Sequence, residues 1–330
     1  MFYDEFKAPA LIKIGSGTLA NIDGILRHRH LYFPNKILIT QEYLYDMYRK
    51  VLDENYFTRK IFVQGGIIDE ADSVIKQIKG EDAVVLAFGG GSVLDIVKYC
   101  ASKCDMPYIT LPSALSNDAV YSCVARLTSD GKKRSYAVQP PMGIIVDLEI
   151  IRKSPLKLVY AGVGDLVSNL SALDDWLLSR EDTGEDINEL AFMLSKESVM
   201  PMLGYKSCDI RSDDFLSDLA NGLITSGLAM IICGSTRPNS GAEHLISHAI
   251  DEYFPERSSI HGLQVAWAHL IIEKNYRNHH KQYETLSKFF CELEMDKVLD
   301  ECVSWSENEF SGLIPYAIKI RNRYTIFNTL

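Results

Sequence analysis

The chain has 330 residues, with 44 acidic against 34 basic side chains and a formal net charge of −10. At 47% hydrophobic and 24% charged it has the make-up of a globular protein with room for two domains, which excludes disordered and fibrous classes. So acidic a surface repels phosphate backbones, so nucleic acid is not an expected partner, although one anionic substrate can still sit in a local basic pocket.

The first residues, Met1 to Lys7, carry acids and no apolar core, so no signal peptide is expected. Short apolar, β-branched runs follow at 36–40, 60–63, 83–88, 108–111 and 143–146, and amphipathic stretches at 42–55 and 70–79 lie between them. Strands alternating with helices imply βαβ units and a parallel sheet. Asp130-Gly131, flanked by alternating residues at 125–128 and 135–138, predicts a hairpin. After Pro155 the strand signals fade, and helices are expected over 163–180, 185–200, 213–235, 240–254, 260–276, 280–291 and 294–310. The expected organisation is an α/β domain with a Rossmann-like parallel sheet over 1–155, followed by an all-α helical-bundle domain over 156–330. No apolar run reaches the ~18 residues of a membrane span; the longest, from Gly222 to Cys233, is interrupted by Thr225, Ser226 and Gly227. The seven cysteines, without a Cys-x-x-Cys pair, read as reduced residues of a cytoplasmic protein.

The apolar run 83–88 leads straight into Gly89-Gly90-Gly91-Ser92-Val93. Glycines let the backbone approach a ligand closely, and a helix starting near Ser92 would aim its free N–H groups at the same place. A diphosphate is the natural guest. The motif is neither the Rossmann fingerprint of a first strand nor a P-loop, since no Gly-Lys-Ser/Thr closes it. Asp95 and Lys98, three apart, can pair on the new helix. A second polar loop, Pro112 to Ser122, follows the next strand, where open α/β sheets bind ligands.

His244 and His248 are four apart, on one face of the helix over 240–254, and His261 opens the next helix. Asp165, in Gly162-Val163-Gly164-Asp165, is expected at the start of an earlier helix. Ligands on separate helices meeting in a bundle make a plausible catalytic metal site, with core packing as the competing explanation. Glu243 precedes the first histidine, so the metalloprotease pattern His-Glu-x-x-His fails. His279-His280 and the Arg27–His30 run read as solvated surface.

In order, the segments Gly89–Lys98, Pro112–Asp118, Gly162–Asn169 with Asp175-Trp176, Gly234–Asp251, His261–Val265 and Arg321–Ile326 resemble those of the sn-glycerol-1-phosphate dehydrogenase family. That family is part of a superfamily that also holds glycerol dehydrogenases, iron-dependent alcohol dehydrogenases and 3-dehydroquinate synthases, and the resemblance implies a dehydroquinate synthase-like fold. It implies that Asp165, His244 and His261 bind one zinc per chain, or another divalent metal in its place. It implies that Gly89, Gly90, Gly91, Ser92, Val93, Ser113, Ser116 and Ser122 contact NAD(H) or NADP(H), and that Asp118 and His248 contact substrate. The implied reaction is reduction of dihydroxyacetone phosphate to sn-glycerol 1-phosphate, a lipid backbone. His248, one turn from His244, is the expected proton relay, and Arg237, opening the turn before that helix, is the expected partner of the substrate's phosphate. The partner is then a small phosphorylated ketone, with neither nucleic acid nor a membrane span, in a homo-oligomer.

The sequence departs from the family at Ser113, Ala119, Tyr121, Cys123, Leu263 and Trp267-Ala268-His269, which bears on the shape of the substrate pocket. A cyclase like 3-dehydroquinate synthase would need a lysine where Val124 stands, and a Glu and a Lys at Asp165 and Ser168. A dehydrogenase of another polyol or phosphorylated ketone is a second rival reading, and a non-catalytic nucleotide-binding protein is a third. Gln41-Glu42 after the second strand leaves NAD against NADP open.

Overall fold

The computed structural model of the protein describes residues 8–277 and 279–330, so the reading of Met1–Lys7 lies outside the described residues. The chain divides into two compact units: residues up to Leu115 with Ala119–Ser154, and Ser116–Asp118 with Pro155–Leu330.

The first unit runs β1 (Leu11–Gly15), α1 (Ile22–His28), β2 (Lys36–Thr40), α2 (Glu42–Leu52), β3 (Arg59–Phe62), α3 (Ile68–Ile78), β4 (Val84–Gly89), α4 (Gly91–Cys104), β5 (Tyr108–Pro112), β6 (Val124–Ser129), β7 (Lys132–Ala137), β8 (Gly143–Asp147) and α5 (Leu148–Lys153). Six strands form a parallel sheet in the order β1-β8-β5-β4-β2-β3, and β6 and β7 pair antiparallel as the expected hairpin. The central strands are apolar throughout because both faces are covered. Ile37, Ile39, Val85 and Ala87 pack on one face against Val74 and Ile78 of α3 and Val93 and Val97 of α4. Their alternates Leu38, Val84, Leu86 and Phe88 pack on the other, against Leu26 of α1 and Leu44 and Leu52 of α2. The sequence reading misses β1, an edge strand with Ile12 and Lys13 exposed, and α5, which Asp147 caps by accepting from Glu149 N–H.

The second unit is helical: α6 (Leu156–Val167), α7 (Asn169–Thr183), α8 (Glu189–Val199), α9 (Asp213–Cys233), α10 (Ala242–Tyr253), α11 (His261–Asn275), α12 (His280–Glu292), α13 (Met295–Cys302) and α14 (Phe310–Ile320). The helix expected over 163–180 is two helices that break at Ser168, whose hydroxyl donates to the Asp165 carbonyl. Asp165 therefore lies in the last turn of α6 instead of at a helix start. Gly162 and Gly164 lie well inside this helix, which begins at Leu156 and not near 163. The helix expected over 294–310 ends at Cys302, and the separate α14 follows. Among the described residues α9 alone is long and apolar enough to cross a membrane, and 67% of its apolar window is buried within the protein.

Candidate functional site

In the first unit the glycine loop is a strand–turn–helix, as expected. β4 ends at Gly89, Gly90 is the extended cap residue, and no side chain caps α4. Val93 and Leu94 N–H donate to the Gly90 carbonyl, so it is the Gly91 and Ser92 N–H groups that are left for an anion. A Cβ on Gly89 would come within 2.6 Å of Val93, so this glycine lets α4 pack on the strand end. A Cβ on Gly90 would meet nothing within 4 Å, so this position faces open space. A second glycine turn, Gly65-Gly66, closes on the loop: both have positive φ, and Gly66 N–H donates to the Ser92 carbonyl at 3.2 Å. Glu70 holds that turn through the N–H groups of Gln64 and Gly65, at 2.6 and 2.8 Å. The sequence reading passes over this turn; its signal is the Gly-Gly pair after the 60–63 strand. Ser113 N–H donates to the Gly89 carbonyl at 2.9 Å, which ties the two expected cofactor loops together.

Lys98 is fully buried, and its ammonium donates to Ser122 Oγ at 2.8 Å and the Val124 carbonyl at 3.2 Å, with Asp95 at 3.4 Å. The pair read from the sequence thus fastens α4 to the start of the hairpin. Ser122, expected at the cofactor, spends its hydroxyl on Lys98 and the Val124 carbonyl.

In the second unit Asp165, His244 and His261 converge, with one ligand atom of each within 4.8 Å of the others. Asp165 Oδ1 lies 3.6 Å from His244 Nε2 and 3.7 Å from His261 Nε2. Zinc bonds of 2.0–2.2 Å put tetrahedral ligand atoms about 3.3–3.5 Å apart, so this carboxylate and two imidazoles fit such an ion. The backbone sets the convergence. A Cβ on Gly262 would collide with the Ala161 carbonyl oxygen, and one on Gly164 with the Gly262 carbonyl oxygen. α6 and α11 therefore cross main chain to main chain, and Asp165 and His261, next to these glycines, are brought together.

A supporting set orients the ligands. Glu243 Oε1 lies 2.8 Å from His244 Nδ1, while its other oxygen accepts from Ser171 Oγ at 2.7 Å. Ser247 Oγ lies 2.8 Å from His261 Nδ1 and accepts from Gln264 Nε2 at 2.9 Å. Asp118 N–H donates to Asp165 Oδ2 at 3.0 Å, which places Asp118 beside the metal ligands. Holding the second ring nitrogen in this way fixes tautomer and ring orientation. The ring of His248 stacks on His261 at 5.4 Å between centroids, interplanar angle 10°. Glu243, Ser247 and Gln264 are supports the sequence reading did not assign; each lies one or three residues from a ligand on the same helix.

Burial opposes a charge on His244, but the carboxylates of Asp165 and Glu243 outweigh it and raise the imidazole pKa to about 9. Burial likewise opposes the charge on Glu243, yet His244 and the Gly241 and Ser171 donors hold its pKa at about 2. A divalent ion held by these three side chains would therefore have to displace a proton from His244. Zinc affinity is expected to rise about tenfold per pH unit across roughly pH 7 to 8.5 and to level off above 9, with one proton released. Calorimetric titration in two buffers of different ionisation heat counts that proton; a pH-independent affinity contradicts the assignment.

Arg237 departs from expectation. It is 3% exposed, and its guanidinium donates to both Glu185 oxygens at 3.1 and 3.0 Å and to the carbonyls of Asp175 and Tyr324. With its charge met by Glu185, this arginine joins α7 to the C-terminal segment, where the sequence reading gave it the substrate's phosphate.

The model of the family described as iron-containing alcohol dehydrogenase matches residues 13–155. Over 83% of this chain and 78% of the relative, the sequence is 37% identical to glycerol-1-phosphate dehydrogenase [NAD(P)+] of Archaeoglobus fulgidus. It is 32% identical to the enzyme of the same name from Pyrococcus horikoshii, over 80% of this chain and 78% of the relative. The fold matches glycerol dehydrogenase from Schizosaccharomyces pombe with a TM-score of 0.78, at 18% identity, over 98% of this chain and 85% of that one. The chain belongs to the iron-containing alcohol dehydrogenase family. Within it, the chain is an oxidoreductase of the glycerol-1-phosphate dehydrogenase-like kind.

Proposed function

We propose that the chain reduces dihydroxyacetone phosphate to sn-glycerol 1-phosphate, using NADH or NADPH bound at Gly89–Val93 and Ser113, and zinc bound by Asp165, His244 and His261. The observation that carries this reading is the convergence of those three side chains from α6, α10 and α11 in a chain 32–37% identical to enzymes of that name. When bound, the metal supplies a Lewis acid for the ketone and the dinucleotide supplies the hydride. The protein's own groups do the rest. Glu243 and Ser247 hold the two imidazoles in place. Asp118, fixed by its N–H on Asp165, contacts the substrate's hydroxyl end. His248, stacked on His261, delivers the proton that the new hydroxyl needs. Ser116 lies in the same segment as Asp118 and is assigned to the cofactor.

Purified zinc-loaded protein, offered dihydroxyacetone and its phosphate with each dinucleotide and followed by absorbance, tests the reading. The relatives are named for a phosphorylated product, so the phosphorylated ketone is expected to be used at least about tenfold more efficiently, a difference of about 1.4 kcal/mol. Equal efficiency on the two ketones moves the protein to the polyol reading.

A further inference from the structure

A second set of metal-ligating side chains stands in the helical unit, made of residues other than Asp165, His244 and His261. Asp174 on α7, Glu273 on α11 and His279 at the cap of α12 each offer one ligand atom within 4.8 Å of the others. Glu273 Oε2 lies 3.4 Å from His279 Nδ1, and Asp174 Oδ2 lies 4.0 Å from it. The first spacing is that of neighbouring ligands around a zinc-sized ion, and the second exceeds it by about half an ångström.

Two further observations point to a missing cation. Asp174 and Glu273 line a cavity of about 330 Å³, floored by Leu173 and Phe192 and lined also by His269. Two nearly fully buried polar atoms there, Glu273 Oε2 and His269 Nδ1, have no hydrogen-bond partner among the described residues. A buried polar atom without a partner costs about 1–3 kcal/mol, which a bound ligand relieves.

Three carboxylates, of Asp174, Asp175 and Glu273, share Arg277 and the imidazole of His279. Arg277, buried, meets Asp175 and Glu273 Oε1 at 2.6 Å each, so one guanidinium serves two carboxylates and a third, Asp174, stands beside them. The lysines that line the cavity, Lys196 and Lys281, are exposed and keep their charges in water.

We propose that Asp174, Glu273 and His279 form a second divalent-cation site. Two carboxylates with one imidazole suit Zn²⁺ or Mn²⁺. Arg277 occupies only Oε1 of Glu273, so Oε2 is the oxygen that the ion takes. Bound there, the ion joins α7, α11 and the start of α12.

Calorimetric titration of the full-length chain with Zn²⁺ alone, and in a second arm with Mn²⁺ alone, tests the site. The parent is expected to show one more binding event than His279→Ala or Asp174→Asn. His280→Ala and His261→Ala are expected to keep that event, which separates it from surface histidine binding and from the first metal site. The His279 side chain is 45% exposed, so its removal leaves the fold intact, and a melting curve checks this. If His279→Ala and Asp174→Asn take up the same number of zinc ions as the parent, with the same affinities, the second site does not exist.

Discussion

His261→Ala is expected to lose its bound zinc and its activity together while the protein stays folded. His261 is half-buried, and its Nδ1 partner, Ser247 Oγ, still accepts from Gln264 Nε2 once the ring is gone. No buried charge is stranded. His244→Ala is a different case. Glu243 is fully buried, and without the imidazole its carboxylate loses its positive partner. Breaking a buried pair by removing one side costs about 3–5 kcal/mol, so this variant should lose stability as well as metal. For His261→Ala, loss of a Lewis acid contributing several kcal/mol predicts a fall in kcat/KM of about 10³-fold or more. Metal content by elemental analysis, kcat/KM and a melting curve are the readouts. A His261→Ala protein with a full zinc complement would falsify the ligand assignment.

The second large effect belongs to the glycine loop. Gly90→Val is expected to weaken NADH binding by about 100-fold or more, equivalent to about 2.7 kcal/mol, at an unchanged melting temperature. The open space in front of the Gly90 Cβ direction is where a diphosphate would meet the bare N–H groups of α4. A branched side chain fills it without touching the protein. The neighbouring substitution Gly89→Ala should behave in reverse, since its Cβ would press on Val93 at 2.6 Å. Overpacking of that kind costs about 1–3 kcal/mol, so stability falls before cofactor affinity does. Fluorescence titration with NADH reads the first effect and thermal melting the second. Unchanged NADH affinity in Gly90→Val removes the loop from the cofactor site.

The parallel sheet is legible because its central strands are buried on both faces and are therefore apolar at every position. β1 escapes notice because it is an edge, with Ile12 and Lys13 facing out. α14 escapes because Pro315 sits inside it, against the local rule. The break at Ser168 is hidden because the helical pattern runs on through it, while the Ser168 hydroxyl turns back on the Asp165 carbonyl where α6 ends. At the site, His244 and His261 stand out through spacing, and Asp165 through resemblance to a family motif. Their supports Glu243, Ser247 and Gln264 lie one or three residues from a ligand, but Ser247 of α10 serves His261 of α11 and Ser171 of α7 serves Glu243, and sequence spacing does not show these cross-helix pairings. The Asp174, Glu273 and His279 group is invisible in the sequence, since its members lie on three helices and His279 reads as surface.

The main-chain contact of Gly164 with Gly262 makes the first metal site a caliper with fixed jaws. The Gly164 and Gly262 backbones meet with no Cβ of their own between them, so helix packing sets the spacing of the main chains that carry Asp165 and His261. A change of preferred ion radius thus has to come from moving a whole helix, through residues remote from the ligands. Engineering this fold for a larger or smaller ion therefore begins at the ends of α6 and α11.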